Sequence, residues 1–442
     1  MPIMSAKHTD TTGEMIVDRR VGPARNFRGS LKLPGDKSIS HRGLIFGALS
    51  QGRTEVHHIL ESADVQSTAR VLGQLGVPIR KEGHVTIIDG RGPESFINPT
   101  QILDCGNSGT TMRLMMGVLS AVDGLRVEMT GDESLIKRPM GRVADPLREM
   151  GAQIELTGKD FAPLKVLGRR LHGIDYELKI ASAQIKTAII LAGLLADGDT
   201  RIRGEIHSRD HTERLLKHFG VHIESNSEEV RVRGGQQFSA NILRVPGDPS
   251  TAAFWLAAAV LVPQSDLHLH GVSLNPTRTG FIEVLRRMGA TIRVDLTEKN
   301  PEPMGDIQAC HGKLVGVVVE EDEIPSLIDE LPILAVLATQ AHGTTKVTGA
   351  EELRVKETDR IEAVATNLRA MGAVIETTRD GFIIEGPQKL IGAEINSFHD
   401  HRIAMAFSVA ALIAEGESLI RGSDCVGISY PEFYSTLQDL TK

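Results

Sequence analysis

LRRMGATI, Leu285–Ile292, is one of five near-copies of a single eight-residue phrase. The others are LGQLGVPI (Leu72–Ile79), LREMGAQI (Leu147–Ile154), LKHFGVHI (Leu216–Ile223) and LRAMGAVI (Leu368–Ile375). Each reads as a helix that ends in polar or basic residues, a glycine in the left-handed conformation past its end, and a following strand. The glycines Gly76, Gly151, Gly220, Gly289 and Gly372 stand 75, 69, 69 and 83 residues apart. A further step reaches the C-terminus, where LQDL (Leu437–Leu440) repeats the start of the phrase.

A second recurrence runs beside the first. Apolar, small-residue helices are predicted to begin near Lys37, Asn107, Gln184, Pro249, Leu331 and Arg402. IKTAIILAGLLADG, TAAFWLAAAVLV and RIAMAFSVAALIAEG are apolar nearly all round, which requires burial on every side. Short strand signals follow most of them, as in TRIRG (Thr200–Gly204), TKVTG (Thr345–Gly349) and SLIRG (Ser418–Gly422). Each repeat therefore holds a buried helix, a strand, an amphipathic helix and further strand. Its length exceeds the 20–50 residues usual for solenoids. Six such repeats fit an α/β fold of two domains with three repeats each.

Bulk composition narrows the function. At 442 residues the chain is long enough for two or three domains. Aromatic content is only 4%, which leaves few stacking platforms for single-stranded nucleic acid. A net charge of −8 argues against broad binding to nucleic acid or an anionic membrane, but allows a local basic cleft. Cys105, Cys310 and Cys425 are far apart and odd in number, so neither a disulfide framework nor a zinc site is expected. There is no 18-residue apolar run, and the first 25 residues lack the apolar stretch of a signal peptide. A cytoplasmic protein is the simplest expectation.

Polar residues cluster where the buried helices begin. Lys37, Ser38 and Arg42 precede one helix, and Asn107, Ser108, Gly109 and Thr110 another. Ser182, Ala183, Gln184 and Lys186 precede a third; Asp248, Asp329 and Asp400 with His401 and Arg402 mark the rest. Ser, Asn and Asp are ordinary caps at such places. Basic residues are not, because they oppose the helix dipole. Lys37, Arg42 and Arg402 are better explained by a bound anion, which a helix N-terminus already favours. LPGDKSISHR (Leu33–Arg42) fails as a nucleotide P-loop: Asp36 separates Gly35 from Lys37, and no glycine lies five residues before Gly35. No G-x-G-x-x-G follows a strand, so a dinucleotide site is unsupported. SLIKRPMGR (Ser134–Arg142) packs three cations around a turn. In ELRVKETDR (Glu352–Arg360), Lys356 and Arg360 are predicted to share a helix face, as a solvated ion-pair surface or as the wall of a site. Asp329, just before a buried apolar helix, reads first as a helix cap and second as a general base.

Taken together, LPGDKSISHR, GNSGTTMR, KRPMGR, SAQIKTA, SRDHTER, DELPILA, ELRVKETDR and DHRIAMAF resemble, in order, the 5-enolpyruvylshikimate-3-phosphate synthase family of enolpyruvyl transferases. The resemblance runs from about Leu31 to Phe433, and its wording is similar to the second-class, glyphosate-tolerant bacterial branch. It implies two inside-out α/β domains, each of three βαβαββ units around buried parallel helices. One would combine residues 1–33 and 246–442, with 1–25 a candidate for disorder, and the other would span 34–245. It implies transfer of the enolpyruvyl group of phosphoenolpyruvate to shikimate 3-phosphate, with release of phosphate and no metal or other cofactor. Carried over by position, Lys37, Ser38, Arg42, Ser182, Ala183, Gln184 and Arg209 would hold shikimate 3-phosphate. Lys37, Gly109, Arg138, Gln184, Arg360 and Arg402 would hold phosphoenolpyruvate. Asp329 would take the 5-hydroxyl proton with Lys356 assisting, and Glu357 would protonate the methylene carbon. A monomer is expected, with glyphosate as inhibitor and neither nucleic acid nor membrane as partner.

Three positions depart from the pattern. Ala183 stands where many members have a second serine, and Ile428 where many have a lysine. Gly109 leaves open a space that a methyl group fills in some glyphosate-tolerant enzymes. The sister transferase that acts on UDP-amino sugars usually has Lys-Asn at Lys37-Ser38 and a reactive loop cysteine, for which Cys105 and Cys310 lack the context. A non-catalytic repeat scaffold would have no need for Asp329, Lys356, Glu357 and Arg402 together.

Overall fold

All five glycines of the recurring phrase have positive φ, from +78° at Gly220 to +98° at Gly151. In each copy the N–H of the residue after the glycine turns back to the carbonyl of the leading leucine. The five bonds are Val77 to Leu72, Ala152 to Leu147, Val221 to Leu216, Ala290 to Leu285 and Ala373 to Leu368, at 2.9–3.0 Å. This is the six-to-one bond of a Schellman cap, and both ends of each bond are buried. The phrase is thus a helix stop with its own hydrophobic clasp.

The computed structural model describes residues 4–9 and 15–442. Its α-helices are α1 (Lys37–Leu49), α2 (Ala63–Gln74), α3 (Gly109–Ser120), α4 (Gly141–Glu149), α5 (Ala183–Leu195) and α6 (His211–His218), then α7 (Pro249–Leu261), α8 (Gly280–Arg287), α9 (Leu331–Ala338), α10 (Arg360–Ala370), α11 (His401–Ala411) and α12 (Phe433–Leu440). The odd-numbered helices are the apolar ones, and α7, α9 and α11 are buried along their whole length. The phrase closes α2, α4, α6, α8 and α10. Close packing shows at Gly117 of α3, where a Cβ would lie 2.4 Å from the carbonyl oxygen of Ala188 in α5.

Among the described residues the strands form six sheets of one pattern. Around α5 and α6, Asp175–Leu178 runs parallel to Asp199–Gly204, which pairs antiparallel with Val230–Arg233, and Ile223–Ser225 closes the edge. Strand, buried helix, strand, amphipathic helix and hairpin follow in that order. The expectation of an α/β fold built from six βαβαββ repeats describes what is present.

The chain divides into two compact units. The first contains the segment ending at Pro34 with Gly247–Lys299 and Pro303–Lys442; the second contains Gly35–Pro246 with Asn300–Glu302. Each has its own apolar core, around Trp255, Leu334 and Phe407 in the first and Phe46, Met115 and Ile189 in the second. The repeat containing α11 and α12 ends without its hairpin in sequence. Met15–Val21 and Met4–Thr9 supply it from the other end of the chain, adding antiparallel to Ser418–Arg421. Disorder across residues 1–25 therefore does not hold for the described part, while residues 1–3 and 10–14 lie outside the described residues. The join is specific: the buried Asp18 carboxylate accepts from the Gly422 N–H at 3.0 Å and from the Arg421 guanidinium at 2.5 Å. No helix among the described residues is long and apolar enough to cross a membrane.

Two local expectations need correction. Glu351–Val355 is a 3-10 turn and α10 starts only at Arg360, so Lys356 and Arg360 do not share a helix face. The Asp359 carboxylate accepts from the Glu362 N–H at 3.1 Å and fixes the helix start there. Arg42 lies inside α1 rather than before it.

Candidate active site

In the second unit three side-chain caps open three buried helices. Asp36, Ser108 and Ser182 accept from the N–H groups of Ile39, Thr111 and Ile185. These caps place Lys37, Gly109 and Ala183 at the first helical positions. The Lys37 ammonium lies 3.1 Å from the Asp64 carboxylate. Ser38 is half-buried beside it, and its carbonyl accepts from Arg42 at 3.0 Å.

Arg42 is 3% exposed. Its Nε donates to Thr212 Oγ1 and one Nη to Thr187 Oγ1, both at 2.8 Å. Burial pulls its pKa down to about 10, with Glu213 and Asp36 opposing and Arg209 adding to the fall; it stays cationic at neutral pH. Burial, then Lys37 and Arg42, push the neighbouring His41 well below its ordinary range, so this imidazole adds no charge. Arg209 is half-buried two residues before α6.

A second cation group lies at α3. Arg138 donates to the Asn107 carbonyl at 3.2 Å, its side-chain oxygen at 2.7 Å and Ser134 Oγ at 3.0 Å. Arg113 donates to Gln184 Oε1 at 2.6 Å, and Gln184 donates to Thr110 Oγ1 at 3.0 Å. A Cβ on Gly109 would sit 3.1 Å from an Arg113 nitrogen and 3.6 Å from an Arg138 nitrogen. Gly109, Arg138 and Gln184 are thus brought together, and Arg113 joins them. The sequence reading passed over Arg113, although one arginine in the apolar run MRLMMGVL was a signal. Lys186, another lone cation in an apolar helix, pairs with Glu213 at 2.7 Å.

The first unit carries the other group. Arg360 is 1% exposed and meets three carboxylates: Asp400 at 2.7 Å, Glu357 at 2.6 Å and Asp329 at 3.1 Å. Burial works against its charge, but Asp400, Glu357 and Asp329 outweigh it and hold its pKa above the ordinary value. Arg402, near the start of α11, lies 3.6 Å from the Asp329 carboxylate and 3.9 Å from Glu330. Asp329 sits in the 3-10 turn Ile328–Glu330 and caps no helix, so of its two readings the cap falls away. Asp400 does two jobs: it caps α11 through the Arg402 N–H at 2.8 Å and grips Arg360. Lys356 and Glu357 are half-buried in the segment before α10. Ile428 ends the 3-10 turn Ser423–Ile428 and packs on the apolar core, so it is part of that core rather than a charged wall.

Comparison with known proteins places this arrangement. Residues 21–437 match the family model for EPSP synthase (3-phosphoshikimate 1-carboxyvinyltransferase). The chain belongs to the EPSP synthase family. A 3-phosphoshikimate 1-carboxyvinyltransferase from Alkaliphilus oremlandii is 49% identical over 429 residues, covering 96% of this chain and all of the relative. One from Synechococcus sp. is 48% identical, covering 95% and 96%. The EPSP synthase structure from Acinetobacter baumannii superposes with a TM-score of 0.85 at 42% identity, over 96% of this chain and 98% of that one. The enolpyruvyl transferase NikO from Streptomyces tendae gives a TM-score of 0.75 at 17% identity, over 95% and 96%, a likeness of fold alone.

Proposed function

We propose that this chain transfers the enolpyruvyl group of phosphoenolpyruvate to the 5-hydroxyl of shikimate 3-phosphate, by addition and then elimination of phosphate. The observation that carries this reading is the Asp329 carboxylate facing both Arg360 and Arg402. Proton acceptance at the hydroxyl and neutralisation of an anionic partner are required of such a site, and both groups stand together here.

The second unit supplies the cations and hydroxyls for shikimate 3-phosphate: Lys37, Ser38, Arg42, Ser182, Gln184 and Arg209, with the Ala183 backbone. Lys37, Gly109, Arg138, Gln184, Arg360 and Arg402 serve phosphoenolpyruvate. Both substrates are multiply anionic, so fixed cations must offset their repulsion before they can react. Arginine suits carboxylate and phosphate because its planar fork binds two oxygens at once. Asp329 accepts the hydroxyl proton, Lys356 polarises that hydroxyl and Glu357 donates to the methylene carbon. The protein acts as a monomer of the second-class branch.

The test is phosphate release from the purified chain with both substrates and no added metal. Release that requires both substrates and is lost in Lys37→Ala is expected. Release with a UDP-amino sugar in place of shikimate 3-phosphate, or none at all, would overturn the reading.

Glyphosate supplies a second prediction. Gly109 borders the Arg113–Arg138 pair, so Gly109→Ala puts a methyl group where a ligand would approach two guanidiniums. One methyl group is worth about 10-fold or more in such discrimination. Gly109→Ala is expected to raise the glyphosate inhibition constant by that factor and the KM for phosphoenolpyruvate by less. Equal inhibition of the two proteins would show that the space at Gly109 is not used.

A further inference from the structure

Behind Arg42 lies a buried layer to which no role has been given. The Thr187 and Thr212 hydroxyls that receive its guanidinium are themselves 2.6 Å apart. Thr212 is the second residue of α6, and the first is His211. His211 is fully buried, and its Nδ1 lies 2.7 Å from Oε1 of Glu302, which is 1% exposed. Glu302 ends the three-residue segment Asn300–Glu302 that packs with the second unit, although Lys299 and Pro303 on either side belong to the first. The chain thus leaves one unit for three residues and delivers a carboxylate to one imidazole.

A buried carboxylate–imidazole contact is poor evidence for stability, because desolvation opposes its attraction. What such a pair does well is fix geometry. Here the fixed object is the start of α6, and the adjacent Thr212 aims Arg42. Glu302 also acts on Arg42 through space: with Glu213 and Asp36 it opposes the effect of burial on that guanidinium.

We infer that Glu302 and His211 are positioning residues for Arg42 and thereby set the affinity for shikimate 3-phosphate. The inference rests on the reading of Arg42 as a ligand of that substrate. It predicts an asymmetry between the two substrates, because His211 and Glu302 are grouped with Arg42 in the second unit while Arg360 and Arg402 belong to the first, and a general loosening of the fold would spoil both substrates.

The experiment titrates the full chain with shikimate 3-phosphate by calorimetry and measures KM for each substrate. Glu302→Ala and His211→Ala are expected to weaken shikimate 3-phosphate about 10- to 100-fold, with KM for phosphoenolpyruvate unchanged. Glu302→Gln keeps an acceptor for the imidazole, and His211→Asn keeps an N–H near the Nδ1 position. Both should recover most of the affinity. Wild-type affinity in folded Glu302→Ala, equal loss for both substrates, or conservative variants no better than alanine would each overturn the inference. If the alanine variants do not fold, the conservative pair decides. A measurable loss confined to shikimate 3-phosphate supports the inference; no loss, or loss for both substrates, overturns it. A wild-type chain that fails to bind shikimate 3-phosphate would overturn the functional reading as well, a result distinct from wild-type binding with an indifferent Glu302→Ala.

Discussion

Asp329→Asn is expected to lower the rate of phosphate release by about 10²- to 10⁴-fold, the usual worth of a general base. The substitution is chosen for what it keeps. The amide is the same size as the carboxylate and retains an oxygen for Arg360, which now lies 3.1 Å away. Asp329 lies in the turn Ile328–Glu330, and Glu330 rather than Asp329 is the residue that precedes α9. What the amide cannot do is take a proton. The loss should therefore fall on kcat at saturating substrate, with both KM values moving little. A kcat within about tenfold of wild type would be below the range of base catalysis and would remove Asp329 from that role. A rise in KM for phosphoenolpyruvate at unchanged kcat would instead assign the carboxylate to holding Arg360 and Arg402.

The largest effect on stability should come from Asp400→Ala. Asp400 is fully buried, and its two oxygens approach Arg360 at 2.7 and 3.4 Å. Removing one partner of a buried ion pair costs about 3–5 kcal/mol because the other charge is left short. The lost cap on α11 adds about 1 kcal/mol. Asp329 and Glu357 still face Arg360, so the sum should fall near the lower end of that range. The measurement is urea unfolding followed by tryptophan emission. Trp255 is the single tryptophan and is fully buried in the core of the first unit, so it reports on the unit that Asp400 supports. Asp400→Asn keeps an oxygen for the Arg402 N–H and should lose less. Wild-type stability in Asp400→Ala would mean that Asp329 and Glu357 alone satisfy Arg360.

Much of this architecture was legible because it repeats. The phrase LRRMGATI encodes a helix, its stop and the next strand within eight residues, so five copies announced the period without tertiary information. The apolar helices were legible because no exposed helix could be apolar all round. Reading failed where a contact joins distant residues. In ELRVKETDR charge spacing suggested one helix, but Asp359 caps α10 and leaves Lys356 outside it. Asp329 was ambiguous because its two arginines lie 31 and 73 residues away. The partners of Arg113 and Glu302 were not legible for the same reason: Gln184 and His211 lie 71 and 91 positions off. Lone charges in apolar surroundings were the trace left in the sequence, at Arg113 and Lys186.

The sheet that joins Met15–Val21 to Ser418–Arg421 has a consequence for synthesis. Nearly all of the second unit is one stretch, Gly35–Pro246, and can begin to fold while the ribosome is still translating the rest. The strand at Met15–Val21 emerges before that stretch and must wait for a partner some 400 residues behind it, since Asp18 and Gly422 are 404 positions apart. During that interval Met4–Thr9 can cover one edge, but the edge that will face Ser418–Arg421 has no native neighbour, and unpaired strand edges invite association with other chains. The protein therefore carries one open strand edge ahead of its second unit until Ser418–Arg421 is synthesised.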